Sequence, residues 1–225
     1  MKFFVTEGLD GSGKSTQIKL LTGYFEKNRI PFKYIHFPRT DSPVFGELIA
    51  RFLRGELGEI SQVHPYLVAL IYAGDRKDAA DKIRQWLDEG YVVMLDRYVH
   101  SNIAFQCAKL NDGTEREKLR DWINHLEYDY FKIPKPEISL FLDVPFSFTT
   151  QKLSQNRKGD DRGYLAGAKD IHEEDLAFQQ RVREVYLWQV RHEGDFKLID
   201  CNGEKGEMLH PEKIFKKILI SLGFS

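Results

Sequence analysis

The sequence predicts an α/β fold: a five-stranded parallel sheet covered by helices on both faces, in three α/β/α layers. Two observations carry that reading. Short β-rich runs alternate with longer segments of helical period along the whole chain, and no Pro/Gly/Ser-rich linker, repeat or low-complexity tract interrupts them. Strands alternating with helices pair in parallel, because each crossover helix lies on a sheet face. One domain over residues 1–225 is the simplest organisation for a chain of this length.

The elements follow in order. Phe3-Phe4-Val5-Thr6 is the first strand, and it leads through a glycine-rich turn into a helix from about Lys14. Phe32-Lys33-Tyr34-Ile35 is the second. Tyr66 to Ala73 is apolar on every side, as in a helix buried within the domain or lying at a subunit contact. Tyr91-Val92-Val93-Met94-Leu95 is the third strand. Leu119, Trp122, Ile123, Leu126 and Tyr130 mark one apolar helical stripe before the fourth strand, Ile138-Ser139-Leu140-Phe141-Leu142. Gln155 to Gly163 is charged, contains glycine and lacks apolar periodicity, so an exposed, mobile lid is expected at about 155–170. A helix resumes near Ile171 with Leu176, Val182, Val185, Tyr186 and Val190. Phe196-Lys197-Leu198-Ile199 is the fifth strand, and Ile214, Ile218 and Leu222 line a last helix.

Composition narrows the function. Apolar residues make up 42% and charged residues 30%, with a formal net charge of -1, so there is no global basic field for indiscriminate nucleic-acid binding. No apolar run approaches the roughly 20 residues that span a bilayer, and the start of the chain enters a strand pattern without a secretion-signal core. A cytoplasmic protein with no membrane partner is expected. Cys107 and Cys201 stand far apart without metal-ligand spacing, which predicts two reduced thiols.

Gly8-Leu9-Asp10-Gly11-Ser12-Gly13-Lys14-Ser15 fits the full G-x-x-x-x-G-K-[ST] pattern in the strand–loop–helix setting that its chemistry needs. Glycines let backbone N–H groups turn inward around phosphate oxygens, and the helix amino terminus adds partial positive charge. Lys14 supplies a mobile positive charge for the β- and γ-phosphates, and the Ser15 hydroxyl is placed to ligate Mg²⁺. The chain therefore binds a nucleoside triphosphate. A second metal-side carboxylate belongs at the carboxyl end of a buried strand, where Asp96 follows Leu95. Asp96 also reads as a cap for a helix from Val99, and the two roles are compatible.

A regulatory GTPase would carry Asn-Lys-x-Asp after a later strand; Asn156-Arg157-Lys158-Gly159 does not match. A mechanical ATPase would carry long partner-binding insertions. A small kinase remains. Transfer to a phosphate needs no general base, since the acceptor oxygen is already an anion, but it needs arginines to bring two anions together. Arg39, Arg76 and Arg97 flank predicted strand or helix ends, and Arg157 and Arg162 could close over the triphosphate from the lid. Transfer to a nucleoside hydroxyl would need a carboxylate base, for which Glu7 is the candidate. A nucleotide-binding switch without catalysis is a third reading.

The combination of Glu7 to Thr16, Phe37-Pro38-Arg39, Tyr72 with Arg76, Asp96-Arg97-Tyr98 followed by Ser101, and the strand entry Pro134-Lys135-Pro136-Glu137 resembles the thymidylate kinases over nearly the whole chain. The resemblance implies a P-loop kinase fold and transfer of the ATP γ-phosphate to dTMP, giving dTDP and ADP on the route to dTTP. It implies Mg²⁺ as cofactor and a homodimer formed through packed helices. Gly8, Leu9, Asp10, Gly11, Ser12, Gly13, Lys14, Ser15 and Thr16 would bind ATP, with Ser15 and Asp96 on the metal. Asp10 would also accept the sugar 3′-hydroxyl, while Arg39 and Arg97 would hold the acceptor phosphate. Tyr72 would stack on thymine and Arg76 would hydrogen-bond the base edge. Phe105 falls where the family places an aromatic that crowds a 2′-hydroxyl, and Phe37, Ser101 and Gln106 would border the same acceptor site. Some members carry an arginine directly after the loop aspartate, where this chain has Gly11. The catalytic positive charge then falls to Arg157 or Arg162, beside Lys14, Asp96 and Arg97. The lid's end, Asp170-Ile171-His172-Glu173-Glu174, fits the family pattern less cleanly, and a metal or base role for Glu173 stays open.

Overall fold

The structure, a computed structural model, describes residues 2–60, 62–154, 165, 170, 172 and 175–224. Five strands form one sheet: β1 (Phe3–Glu7), β2 (Phe32–His36), β3 (Val92–Asp96), β4 (Ile138–Asp143) and β5 (Phe196–Asp200). Their spatial order is β2-β3-β1-β4-β5 and every pairing is parallel. The predicted α/β class with a five-stranded parallel sheet is the observed one. Register brings Thr6 opposite Asp96, His36 opposite Asp96 and Asp143 opposite Asp200, so the polar carboxyl ends of the strands share one edge.

Among the described residues, eight α-helices surround the sheet: α1 (Lys14–Lys27), α2 (Phe45–Leu53), α3 (Pro65–Asp88), α4 (Val99–Cys107), α5 (Gly113–Asn124), α6 (Phe146–Ser154), α7 (Leu176–His192) and α8 (Pro211–Leu222). A π-helical turn, His125–Tyr130, continues α5. Strand side chains alternate between faces. Phe3, Val5, Val93, Leu95 and Phe141 pack with Ile83, Ile103, Phe178 and Tyr186 on one face. Phe4, Met94, Leu140 and Leu142 pack with Ile18, Leu21, Phe25, Ile214 and Ile218 on the other. Cys107 and Cys201 are free and buried in these two different clusters, where burial pushes both thiols up to about 12.

Two apolar helical runs are only partly buried in the single chain. The apolar run Tyr66 to Ala73 opens the 24-residue α3, which buries Val68, Ala69 and Ala73 but leaves Leu67 58% and Leu70 40% exposed. The stripe through α5 ends early: Leu119, Ile123 and Leu126 are buried, yet Tyr130 is exposed. The wider π turn advances the register past the 3.6-residue period, swinging Tyr130 outward and turning Glu127 inward. Gly74 allows α2 to approach α3, since a β-carbon there would lie 2.3 Å from the Phe45 ring. No described helix is long and apolar enough to cross a membrane.

Candidate active site

The phosphate-binding loop joins β1 to α1 at the carboxyl edge of the sheet, where open α/β sheets hold ligands. Gly13, immediately before α1, sits at φ 83°, a left-handed conformation that glycine adopts without cost. Lys14 is buried, and its Nζ donates to the carbonyls of Gly8 (3.2 Å) and Leu9 (2.9 Å) within the curl of the loop. Burial and Arg97 lower its pKa to about 8, against the opposing pull of Asp96, Asp10 and Glu7. Ser15 and Thr16 are exposed at the start of the helix.

Asp96 closes β3 beneath the loop. Its Oδ2 lies 3.2 Å from His36 Nδ1, while its buried Oδ1 has no hydrogen-bond partner. Burial pushes this carboxyl up, but the His36 hydrogen bond and the charges of Lys14 and Arg97 prevail and hold it below the usual carboxylate range. A buried carboxylate oxygen without a hydrogen-bond partner at Asp96 and the hydroxyl of the exposed Ser15 are hard oxygen donors, the set that fits Mg²⁺.

Arg97 follows with φ 66°, a strained backbone for a non-glycine residue. Nη2 donates to Asp10 Oδ1 (2.7 Å), and Nη1 donates to Ser101 Oγ (3.1 Å) and Tyr186 Oη (3.3 Å); the guanidinium carbon lies 5.1 Å from the centroid of the Phe105 ring. Burial opposes its charge, but Asp10, Tyr186, Asp96 and Glu7 more than offset that and keep it protonated. Asp10, in turn, accepts from Gln179 Nε2 at 3.2 Å, and the same amide nitrogen donates to the His172 carbonyl at 2.9 Å.

Glu7, the candidate base, is committed elsewhere. Fully buried, it accepts from Tyr98 N (2.9 Å), Ser101 N (3.3 Å), Ser101 Oγ (2.5 Å) and Tyr186 Oη (3.1 Å). It thereby satisfies amide donors at the amino end of α4, a helix with no side-chain cap of its own.

Arg39 donates through its backbone N (2.9 Å), Nε (2.9 Å) and Nη2 (2.7 Å) to Asp75. Arg76 is buried and paired with the fully buried Glu127 through Nε (2.5 Å) and Nη2 (2.7 Å), leaving Nη1 outside the pair. Asn102 Nδ2 donates to the same Glu127 Oε1 and to the Ala69 carbonyl, both at 3.0 Å, and its buried Oδ1 has no partner. Tyr72 is near enough to Arg76, Arg97, Asp10 and Asp170 to feel their charges. Burial, Asp170 and Asp10 push its phenol well above the ordinary value despite Arg97 and Arg76. Gln106 is buried with Oε1 unpartnered, and Phe37 is buried against Tyr98 at the end of β2.

The structure thus brings Asp10, Lys14, Asp96, Arg97, Ser101 and Phe105 together, with Tyr72 near Asp10, Arg76 and Arg97; Arg39 is held by Asp75, beside Arg76 in sequence, Ser15 and Thr16 open α1, and Phe37 and Gln106 are buried. Arg157, Arg162 and Glu173 lie outside the described residues. Sequence reasoning missed Asp75, Asn102, Glu127 and Gln179. Their partners stand far off in the chain, 51 residues in the case of Arg76 and Glu127, so no local pattern announces them. A further ion pair, Arg183 with Asp143 at the end of β4, was also missed; Nε and Nη2 reach its two oxygens at 2.7 and 2.9 Å.

A glycine-rich phosphate-binding loop, a buried carboxylate beside it and arginines held by carboxylates are the parts of a P-loop phosphotransferase. The model of the family described as thymidylate kinase matches residues 6–211. The chain is 35% identical over 181 residues to a thymidylate kinase of Mycobacterium tuberculosis, covering 80% of this chain and 81% of that one. It is 33% identical over 210 residues to a probable thymidylate kinase of Pyrobaculum aerophilum, with 92% of each covered. The fold is similar to that of a thymidylate kinase structure from Candida albicans, with a TM-score of 0.71 at 23% identity over 99% of this chain and 91% of that one. The chain belongs to the thymidylate kinase family, enzymes that transfer a phosphoryl group to a phosphate acceptor.

Proposed function

We propose that the chain transfers the γ-phosphate of ATP to dTMP, yielding dTDP and ADP, with Mg²⁺ held by Ser15 and Asp96. The observation that carries the choice of base is the shared anchoring of Arg76 and Asn102 on Glu127. Arg76 keeps Nη1–H as a donor and Asn102 keeps Oδ1 as an acceptor. Thymine offers the complement, a carbonyl at O4 and a donor at N3–H. Cytosine offers an amino group and a lone pair at the same positions, so both contacts become repulsive. Tyr72 adds a flat ring for stacking at low cost in conformational entropy.

The chemistry needs position and charge more than proton transfer. Arg97 and Arg39 bind the acceptor phosphate, and their carboxylate partners Asp10 and Asp75 fix both guanidiniums in advance. Asp10 turns its other oxygen, steadied by Gln179, to the sugar 3′-hydroxyl. Phe105, held beneath Arg97, crowds a 2′-hydroxyl. Lys14 binds the β- and γ-phosphates in its ammonium form, and the amides of the loop wrap the rest. When bound, Mg²⁺ neutralises charge shared between those phosphates. Arg157 and Arg162, outside the described residues, would supply the remaining positive charge, in a single domain that works in the cytoplasm. The exposed Leu67 and Leu70 on α3 support pairing of two copies through that helix.

Asn102→Ala tests the base-reading pair. We expect kcat/KM for dTMP to fall by roughly 10- to 100-fold, for about 1–3 kcal/mol of lost polar interaction, with the preference over dCMP shrinking and ATP affinity unchanged. An unaltered ratio of dTMP to dCMP turnover would overturn this account of base choice.

A further inference from the structure

Two carboxylates stand where a helix end makes negative charge unfavourable. Glu193 caps the carboxyl end of the 17-residue α7, and Asp195 lies two residues on, at the entry to β5. The unpaired carbonyls of a helix terminus carry partial negative charge, so this position attracts cations. His100 of α4 faces the same point: its ring stacks on Phe196 with centroids 4.0 Å apart, its carbonyl accepts from Gln189, and its Nε2 lies 2.9 Å from Glu193 Oε2. One ligand atom each from His100, Glu193 and Asp195 can be chosen so that all lie within 4.8 Å of one another.

The cluster also has more lone pairs than protons. Glu193 Oε1 and His100 Nδ1 are buried with no hydrogen-bond partner. Lys135 Nζ lies 3.0 Å from Asp195 Oδ2, but its side chain is 64% exposed, so it can leave at little cost. A compact set of one imidazole and two carboxylates, with unshared electron pairs and a helix carboxyl terminus behind it, is a donor set for a first-row dication. Three protein ligands with an open position is an arrangement such ions accept.

We propose that His100, Glu193 and Asp195 form a second cation site, for Zn²⁺ or a similar transition-metal ion. It lies at the amino end of β5, across the sheet from the carboxyl edge that holds Ser15 and Asp96, and so is separate from the Mg²⁺ site. Occupancy ties α4 to the α7–β5 turn. Those two helices carry Ser101 and Tyr186, which brace Glu7 and Arg97. The site is therefore stabilising, and no reacting group touches it.

The test is titration of the metal-free full-length protein, without nucleotide, by Co²⁺ alone, reading visible absorption and stoichiometry, followed by displacement with Zn²⁺. The expected result is one tightly bound ion per chain with an absorption typical of low coordination number. Affinity should fall about tenfold or more in Asp195→Asn and in Glu193→Gln, and Tm should rise with Zn²⁺ in the unaltered protein only. Both variants keep a hydrogen-bonding amide at the position, and circular dichroism verifies their fold. Absence of a one-to-one Co²⁺ complex, or equal affinity in the unaltered protein and either folded variant, would overturn the proposal.

Discussion

Lys14 and Arg97 are neighbouring buried cations with different electrostatics. Arg97 stays cationic because carboxylates surround it, whereas Lys14, drawn into the loop, has its pKa lowered to about 8 by burial and by Arg97. Phosphate oxygens favour the ammonium form and raise that value on binding. Triphosphate binding at about pH 8 should therefore take up a fraction of a proton, and affinity should fall as pH rises through 8; below about pH 7 the amine is already charged and uptake should vanish. Calorimetry in buffers of different ionisation enthalpy measures this directly, and uptake independent of pH would contradict it. For Arg97→Ala, kcat should drop by about 10²–10³, the cost of one preorganised donor, with ATP affinity retained. Full turnover in that variant would remove Arg97 from the acceptor site.

At the level of elements, α4 has the greatest leverage. Its amino end is capped from β1 by Glu7 and braced from α7 by Tyr186, so three elements converge on the residues after Asp96. Tyr186→Phe removes one donor to a buried carboxylate, and should cost about 1–2 kcal/mol, or a few degrees in Tm, without weakening ATP binding. Thermal unfolding decides the point, an unchanged Tm being the contrary result. The strands and the loop were legible in the sequence because their signals are local: continuous apolar runs for a parallel sheet, and glycines with Lys14 at fixed spacing. Phe3 to Thr6 and Ile138 to Leu142 read correctly on that ground. The π turn did not, since one added residue per turn leaves apolar spacing almost unchanged while it redirects Glu127 toward Arg76. Asp75 and Asn102 were hidden for the related reason that their worth depends on distant partners.

Across the whole molecule, the parallel sheet gathers the candidate site residues of the phosphate loop, Asp96 and Arg97 onto one edge. In the proposed reaction the loop after β1 would bind the donor and the residues after β2 and β3 the acceptor, with Asp10, held by Arg97, between them. The opposite side of α3 serves assembly in the proposed homodimer. Leu70→Glu should give the mass of a single chain in sedimentation equilibrium where the unaltered protein gives two; a mass of one chain for both would refute pairing through α3. The acceptor's identity is the central claim, and a comparison of kcat/KM for dTMP, dCMP and thymidine with ATP and Mg²⁺ tests it most directly. The account predicts dTMP as the preferred acceptor. It places dCMP on the order of 10⁴-fold lower, as for a polar site facing the wrong donors and acceptors, and thymidine near background. Equal turnover of dTMP and dCMP, or preferred transfer to thymidine, would contradict it.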